Sequence, residues 1–146
     1  MKKVLLYSAC VMLSACQIFG ASIPDFLTKE TEEELSSKGI QAQYFYKKTV
    51  FSVPSSVIFG QTKATIQGSA EKTLKTFNEV LKNANRPVQI LCYVNQEKTS
   101  ARAIANRRGN AISNFLRVHG LDVDKISYKG IISEDTKDMI EFVIQQ

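Results

Sequence analysis

The chain has 146 residues, 44% of them hydrophobic and 23% charged, and a formal net charge of +5. That length supports one compact domain with a real core rather than two, and so mild a positive balance does not call for a nucleic-acid partner. His119 is the only histidine, which excludes a histidine-based metal cluster, so the fold has to be held by packing.

The chain opens Met1-Lys2-Lys3, continues with an apolar run from Val4, and reaches a small-residue junction at Leu13-Ser14-Ala15-Cys16. Basic residues, about a dozen mostly apolar ones and a small-residue junction form a secretory signal peptide, too short to span a bilayer as a stable helix. Leu13-Ser14-Ala15-Cys16 resembles the bacterial lipobox, where a peptidase cuts before a cysteine whose thiol has been lipidated. The resemblance implies a mature protein that begins at Cys16 and hangs from a membrane by acyl chains such as palmitate. Cys10 fits less well, because Tyr7 stands where that motif has an aliphatic residue. The alternative is an ordinary cleaved signal peptide followed by a soluble periplasmic protein. Loss of residues 1–15 removes Lys2 and Lys3, leaving 131 residues and a charge of +3. Cys92 is then the one unmodified thiol, so no internal disulfide can form. It lies in the run Val88-Gln89-Ile90-Leu91-Cys92-Tyr93-Val94 and reads as a buried small hydrophobe.

Residues 17–24 read as a tether without periodicity. Thr31 and Glu34 have capping-box spacing, and Lys38-Gly39 ends the short helix they open. Residues 41–53, rich in aromatic and β-branched side chains, read as extended, and Pro54 separates them from a second extended piece at 56–59. Residues 69–83 are helical, with Leu74, Phe77, Val80 and Leu81 on one face. Asn85-Arg86-Pro87 breaks that helix, and 88–94 is a near-continuous apolar strand of the kind buried on both faces or nearly so. Residues 100–119 form the longest helix, with an apolar stripe of Ile104, Ala111, Ile112, Phe115 and Leu116 and C-terminal signals in Arg117, His119 and Gly120. Strands at 126–131 and 139–145 follow, joined by a polar turn at 133–137. This order predicts an α+β fold of two layers, with helices packed on one face of a mixed four-stranded sheet in βαβαββ order.

Arg108 lies four residues after Ile104 and seven before Phe115, inside the apolar stripe, whereas Arg107 points away from it. A guanidinium there needs a partner, because an unpaired buried charge costs several kcal/mol. Three readings stay open: Arg108 snorkels past the sheet, pairs internally with a carboxylate such as Glu97 or Asp135, or lines a cleft and accepts a carboxylate ligand bidentately.

From Val57 to about Ile144 the chain resembles the OmpA-like domain, the peptidoglycan-associating module of outer-membrane proteins and lipoproteins. Val57-Ile58-Phe59 through Lys63-Ala64-Thr65-Ile66 to Leu74 matches its opening strand, and Val88 to Val94 matches the strand before its ligand loop. Arg107-Arg108-Gly109 with Ile112 and Phe115-Leu116 matches its arginine-alanine helix motif, and His119-Gly120-Leu121 with Asp124-Lys125-Ile126-Ser127 the following turn and strand. In that family an aspartate and the helix arginine clasp the ammonium and carboxylate of a diaminopimelate residue. The resemblance puts Arg108 in the arginine's place and the uncharged Asn95 in the aspartate's, with Glu97 as a substitute carboxylate. Other departures are Ala101 for an asparagine, Ile104-Ala105 for a leucine-serine pair, Gly109 for an alanine, and Lys137-Asp138 where the last strand usually opens with basic residues.

The chain thus divides into a lipoprotein signal peptide at 1–15, a lipidated Cys16 and tether at 16–30, a short helix and extended segment at 31–55, and an OmpA-like domain at 56–146. The function implied is that of an outer-membrane lipoprotein facing the periplasm, whose domain binds the diaminopimelate stem peptide of peptidoglycan non-covalently. Gln17 after the cysteine, rather than an aspartate, resembles the pattern of lipoproteins sorted to the outer membrane. The alternative is a structural subunit of an envelope-spanning machine, such as a type IV secretion system core complex, docking protein partners through the aromatic segment with Tyr44, Phe45, Tyr46 and Phe51. That segment can equally pair as an extra strand and pack inward. No enzyme is expected and no cofactor: His119 at a helix end suits a dipole role, and Cys92 has no base near it in sequence.

Overall fold

The computed structural model describes residues 22–60, 63–135 and 137–146. The elements are α1 (Lys29–Ser37), β1 (Gln41–Tyr44), β2 (Lys48–Pro54), α2 (Ser55–Phe59), α3 (Gly68–Ala84), β3 (Val88–Asn95), α4 (Ala101–Val118), a 3-10 turn (Val123–Lys125), β4 (Ile126–Ser133) and β5 (Met139–Gln145). The strands form one mixed sheet in the order β1-β2-β5-β3-β4. β5 is antiparallel to both neighbours, while β3 and β4 run parallel with α4 as the crossover. The two-layer α+β expectation holds, but the sheet has five strands rather than four: the opening strand expected at 56–59 is absent, and β1 and β2 take its place.

Both of these strands come from the aromatic segment. Residues 41–53 fold as a hairpin, Gln41 opposite Ser52 and Tyr44 opposite Thr49, and β2 then pairs along β5 from Lys48–Gln145 to Pro54–Met139. Phe51 is fully buried and Tyr44 nearly so, which is the inward-packing reading of this segment, while Tyr46 at the hairpin turn is 85% exposed.

Residues 56–59 are helical, not extended. Val57, Ile58 and Phe59 carry strand-like side chains, but local capping overrides that weak preference. Pro54 sets the entry, Gly60 ends the turn at φ 57°, and the Gln67 amide donates to the carbonyls of Ser56 (3.2 Å) and Val57 (2.9 Å). Short helices leave their last carbonyls without intrahelical partners, and Gln67 supplies them. The cap of α1 also differs: Thr28, not Thr31, is the N-cap, its hydroxyl accepting from the Thr31 amide at 3.2 Å. Gly39, at φ 93°, closes that helix as expected.

The core lies between the helices and one face of the sheet. Phe77 of α3 stands edge-to-face on Phe51 of β2 (5.0 Å) and Phe142 of β5 (4.7 Å), so one helix side chain bridges two strands. Leu74, Val80 and Leu81 continue that face. β3 buries alternate residues only (Val88, Ile90, Cys92, Val94), with its other face partly open. The expectation that both its faces are covered therefore fails. Its near-continuous apolar run reflects partial cover of Leu91 and Tyr93 by sheet neighbours rather than a second helical layer.

Where α4 crosses β4, two glycines let the backbones approach. A Cβ on Gly109 would lie 2.6 Å from the Tyr128 ring, and one on Gly130 would lie 2.8 Å from Ala105 Cβ. Glycine at 109, in place of the family's alanine, is the counterpart of a tyrosine on the edge strand. Alanine would raise helix propensity by about 1 kcal/mol, but the overlap includes the fixed base of the ring, and overpacking costs about 1–3 kcal/mol. Gly109→Ala should therefore lower stability in urea unfolding by about 1 kcal/mol, and the sign should reverse in a Tyr128→Ala background.

Candidate functional site

The site is assembled at the end of the sheet where β3 and β4 finish and β5 begins. α4 reaches it with a buried stripe of Ala101, Ile104, Ala105, Arg108, Gly109, Ile112 and Leu116. Arg108 is 5% exposed and Arg107 exposed, as the helical spacing requires. The Arg108 guanidinium lies over the Phe59 ring, 5.2 Å from its centroid. Its Nε donates to the Lys63 carbonyl at 2.5 Å, and Nη1 donates to Asp138 Oδ1 at 2.6 Å. The internal pairing reading is thus correct in kind but not in partner: the carboxylate is neither Glu97 nor Asp135 but Asp138.

Lys137 and Asp138 lead into β5 and diverge because they continue its alternation of faces. Lys137 goes to the open face of the sheet, paired with Glu141 at 2.9 Å and standing over Tyr93. Asp138 turns toward α4. Its Oδ2 accepts from the Lys98 ammonium, and its carbonyl accepts from the Ser55 amide at 3.2 Å, tying the start of β5 to the start of α2. Burial raises the Asp138 carboxyl, but the Lys98 hydrogen bond, the facing Ser55 hydroxyl and the charges of Arg108 and Lys98 together outweigh it. They hold it below the ordinary value of 3.8. The Ser55 hydroxyl itself is buried and falls short of a regular hydrogen bond. Two cations and one carboxylate leave this cluster with a net positive charge.

The loop from Asn95 to Ser100 presents Lys98. The Gln96 amide donates to the Ser133 carbonyl (3.1 Å) and the Lys98 amide to the Asn95 carbonyl (3.1 Å), a tight turn between β3 and α4. Asn95 Oδ1 accepts from the Glu97 amide at 3.0 Å, and the Glu97 side chain is exposed. Among the described residues, neither Asn95 nor Glu97 bonds Arg108. Cys16 lies outside the described residues. The residues that sequence reasoning missed are Asp138 and Lys98, with the Lys63 carbonyl and the Phe59 ring. The signal for Asp138 was present as a charge reversal at the start of the last strand, where the resembling family is basic.

Cys92 is fully buried, and that burial pushes its thiol up to about 12 against the lowering effect of Arg108, so it is a protonated packing group. His119 caps α4, its Nδ1 2.8 Å from the Phe115 carbonyl. Among the described residues no cluster of histidine, cysteine, aspartate or glutamate could hold a metal ion. What the site offers is charge recognition by a guanidinium, an ammonium and a carboxylate.

A buried helix arginine facing a mixed sheet with this strand order defines a class of two-layer α+β domains. Residues 58–139 match the model of the OmpA family, and with more than half of its length matched the chain belongs to that family. The fold is similar to the cell wall anchor of the T6SS from Pseudomonas aeruginosa (TM-score 0.71, 9% identity, 77% of this chain and 92% of that one). It is also similar to the periplasmic domain of Helicobacter pylori MotB (0.65, 10%, 74% and 80%). A third similar structure is an outer membrane protein from Borrelia burgdorferi B31 (0.62, 20%, 75% and 99%). No curated protein sequence matches the chain.

The Asp138 carboxyl titrates lower in the folded than in the unfolded chain, so its stabilising effect is complete above about pH 4 and fades as pH falls through the folded value. Asp138→Asn should cost about 2 kcal/mol at pH 7, because it leaves Arg108 buried without its carboxylate. In urea unfolding across pH, the difference from wild type should shrink below pH 3.8, where the wild-type carboxyl protonates too.

Proposed function

We propose that this chain is an outer-membrane lipoprotein, held by acyl chains on Cys16, whose OmpA family domain binds diaminopimelate-bearing stem peptides of peptidoglycan and ties the membrane to the wall. The observation that carries the reading is Arg108, a guanidinium 5% exposed at the α4–β5 junction, on the helix position that matches the family's arginine. Its role is to take the ligand carboxylate, for which a planar fork of N–H donors is suited. Asn95 and Glu97 stand on the β3–α4 loop, whose Lys98 reaches the same cluster, and in this reading they form the rim. Among the described residues no helix is long and apolar enough to cross a membrane, which suits a lipid anchor. One clasp buries little area, so each domain binds weakly and a membrane carrying many copies gains avidity.

A second reading, a protein scaffold within an envelope-spanning machine, is favoured by one observation: Asp138 already neutralises Arg108. The similar fold of the T6SS cell wall anchor suits either reading.

Purified full chain in detergent should pellet with diaminopimelate-type peptidoglycan, and Arg108→Ala should lose at least tenfold of that binding, the order expected when a charge-assisted contact is removed. Wild type that stays in the supernatant at high peptidoglycan would move the function to the scaffold reading. In cells, Cys16→Ala should abolish incorporation of labelled palmitate and release the protein from the membrane fraction. Labelling that persists in that variant would refute the anchor at Cys16.

A further inference from the structure

We propose that Asp138, supplied by β5, is the acidic half of the ligand site, and that Lys98 is its displaceable occupant when no ligand is bound. This deepens, and rests on, the reading of Arg108 as the group that takes a ligand carboxylate.

A ligand carbon bearing both an ammonium and a carboxylate needs an anion beside the guanidinium. Asn95 cannot be that anion: it is uncharged, and its Oδ1 is taken by the Glu97 amide at 3.0 Å. Glu97 is exposed and makes no ion pair among the described residues. Asp138 has the charge and the place, with one oxygen 2.6 Å from Arg108 Nη1 and the other on the Lys98 ammonium. An alkylammonium already sits on a carboxylate next to a guanidinium, so Lys98 Nζ stands where a ligand ammonium would stand.

Exchange of one ammonium for another conserves charge. Lys98 is the partner free to leave: its side chain is 44% exposed, against 6% for Arg108 and 25% for Asp138. Exposed ion pairs contribute little, and a released lysine regains water and rotamer freedom. Arg108 meets Asp138 through Nη1 and the Lys63 carbonyl through Nε, and its Nη2 has no hydrogen-bond partner among the described residues, so a ligand carboxylate can be added there without breaking the internal pair. The ligand class is therefore an amino acid centre with free ammonium and carboxylate, read by a carboxylate at the start of β5 rather than by the β3–α4 loop.

Calorimetric titration of the full chain with free meso-diaminopimelic acid tests this. Lys98→Ala should tighten binding about three- to tenfold by removing the competitor, Asp138→Asn should weaken it about tenfold or more, and Asn95→Ala, at the rim, should weaken it far less than Asp138→Asn. The N-acetylated ligand, which lacks the ammonium, should gain nothing from Lys98→Ala. Circular dichroism checks that Asp138→Asn is folded, and the Lys98→Ala result stands without it. Unchanged or weaker binding in Lys98→Ala, or a loss in Asn95→Ala equal to that in Asp138→Asn, would overturn the assignment. If peptidoglycan pelleting depends on Arg108 while Lys98→Ala changes nothing, the Asp138 assignment alone falls. If neither variant nor wild type binds diaminopimelic acid or peptidoglycan, the reading of Arg108 falls with it.

Discussion

The last strand of the chain occupies the middle of its sheet. β5 pairs antiparallel with β2 on one side and β3 on the other, and Ile140, Phe142 and Ile144 are fully buried beneath the helices. Until β5 is in place, β2 and β3 have no common neighbour and the Phe51–Phe77–Phe142 stack lacks one of its rings. Every such contact closes a long loop, so the entropy of ordering the chain is lost before the central strand contributes its burial. The cluster of Arg108, Asp138 and Lys98 depends on the same strand, because β5 begins one residue after Asp138 and its register fixes where that carboxylate lies against α4.

A guanidinium in an apolar stripe is a liability unless its surroundings are built for it. Here three elements contribute: a backbone carbonyl at Lys63, the face of Phe59 at the end of α2, and the carboxylate of Asp138. The carboxylate is shared with an exposed lysine, so the cluster keeps a net positive charge. Such an arrangement compensates the buried guanidinium internally without cancelling its charge. In the proposed function the cost is competition, since the internal carboxylate and ammonium occupy the positions proposed for a zwitterionic ligand.

Much of the fold was legible because periodicity reports burial directly. The 3.6-residue stripes located α3 and α4 to within a residue or two at each end, and the same stripe put Arg108 inside and Arg107 outside. The short helix α2 was not legible, since side-chain type at 56–59 favours a strand and the deciding cap comes from Gln67, several residues downstream. The hairpin of β1 and β2 read as a single extended run, because strand propensity continues through Phe45 and Tyr46 and no glycine marks the turn. The capping-box spacing of Thr31 and Glu34 starts α1 about one turn late: Thr28 and Thr31 both suit an N-cap, and only backbone geometry chooses between them.

The sequence by itself determined the layer architecture, the burial of Cys92 and Arg108, and the membership in the OmpA family that Arg108 and its neighbours announced. These are properties of local spacing, which hydrophobic period and motif carry along the chain. Only the tertiary structure decided which carboxylate meets the arginine. Asp138 is thirty residues from Arg108 in the chain, and its departure from the family's basic start of the last strand does not by itself say that it, rather than Glu97 or Asp135, meets the arginine. The choice follows from strand register: β5 pairs with β2 and β3 so that Asp138 faces α4 and Lys137 faces away, and a shift of one residue would exchange them.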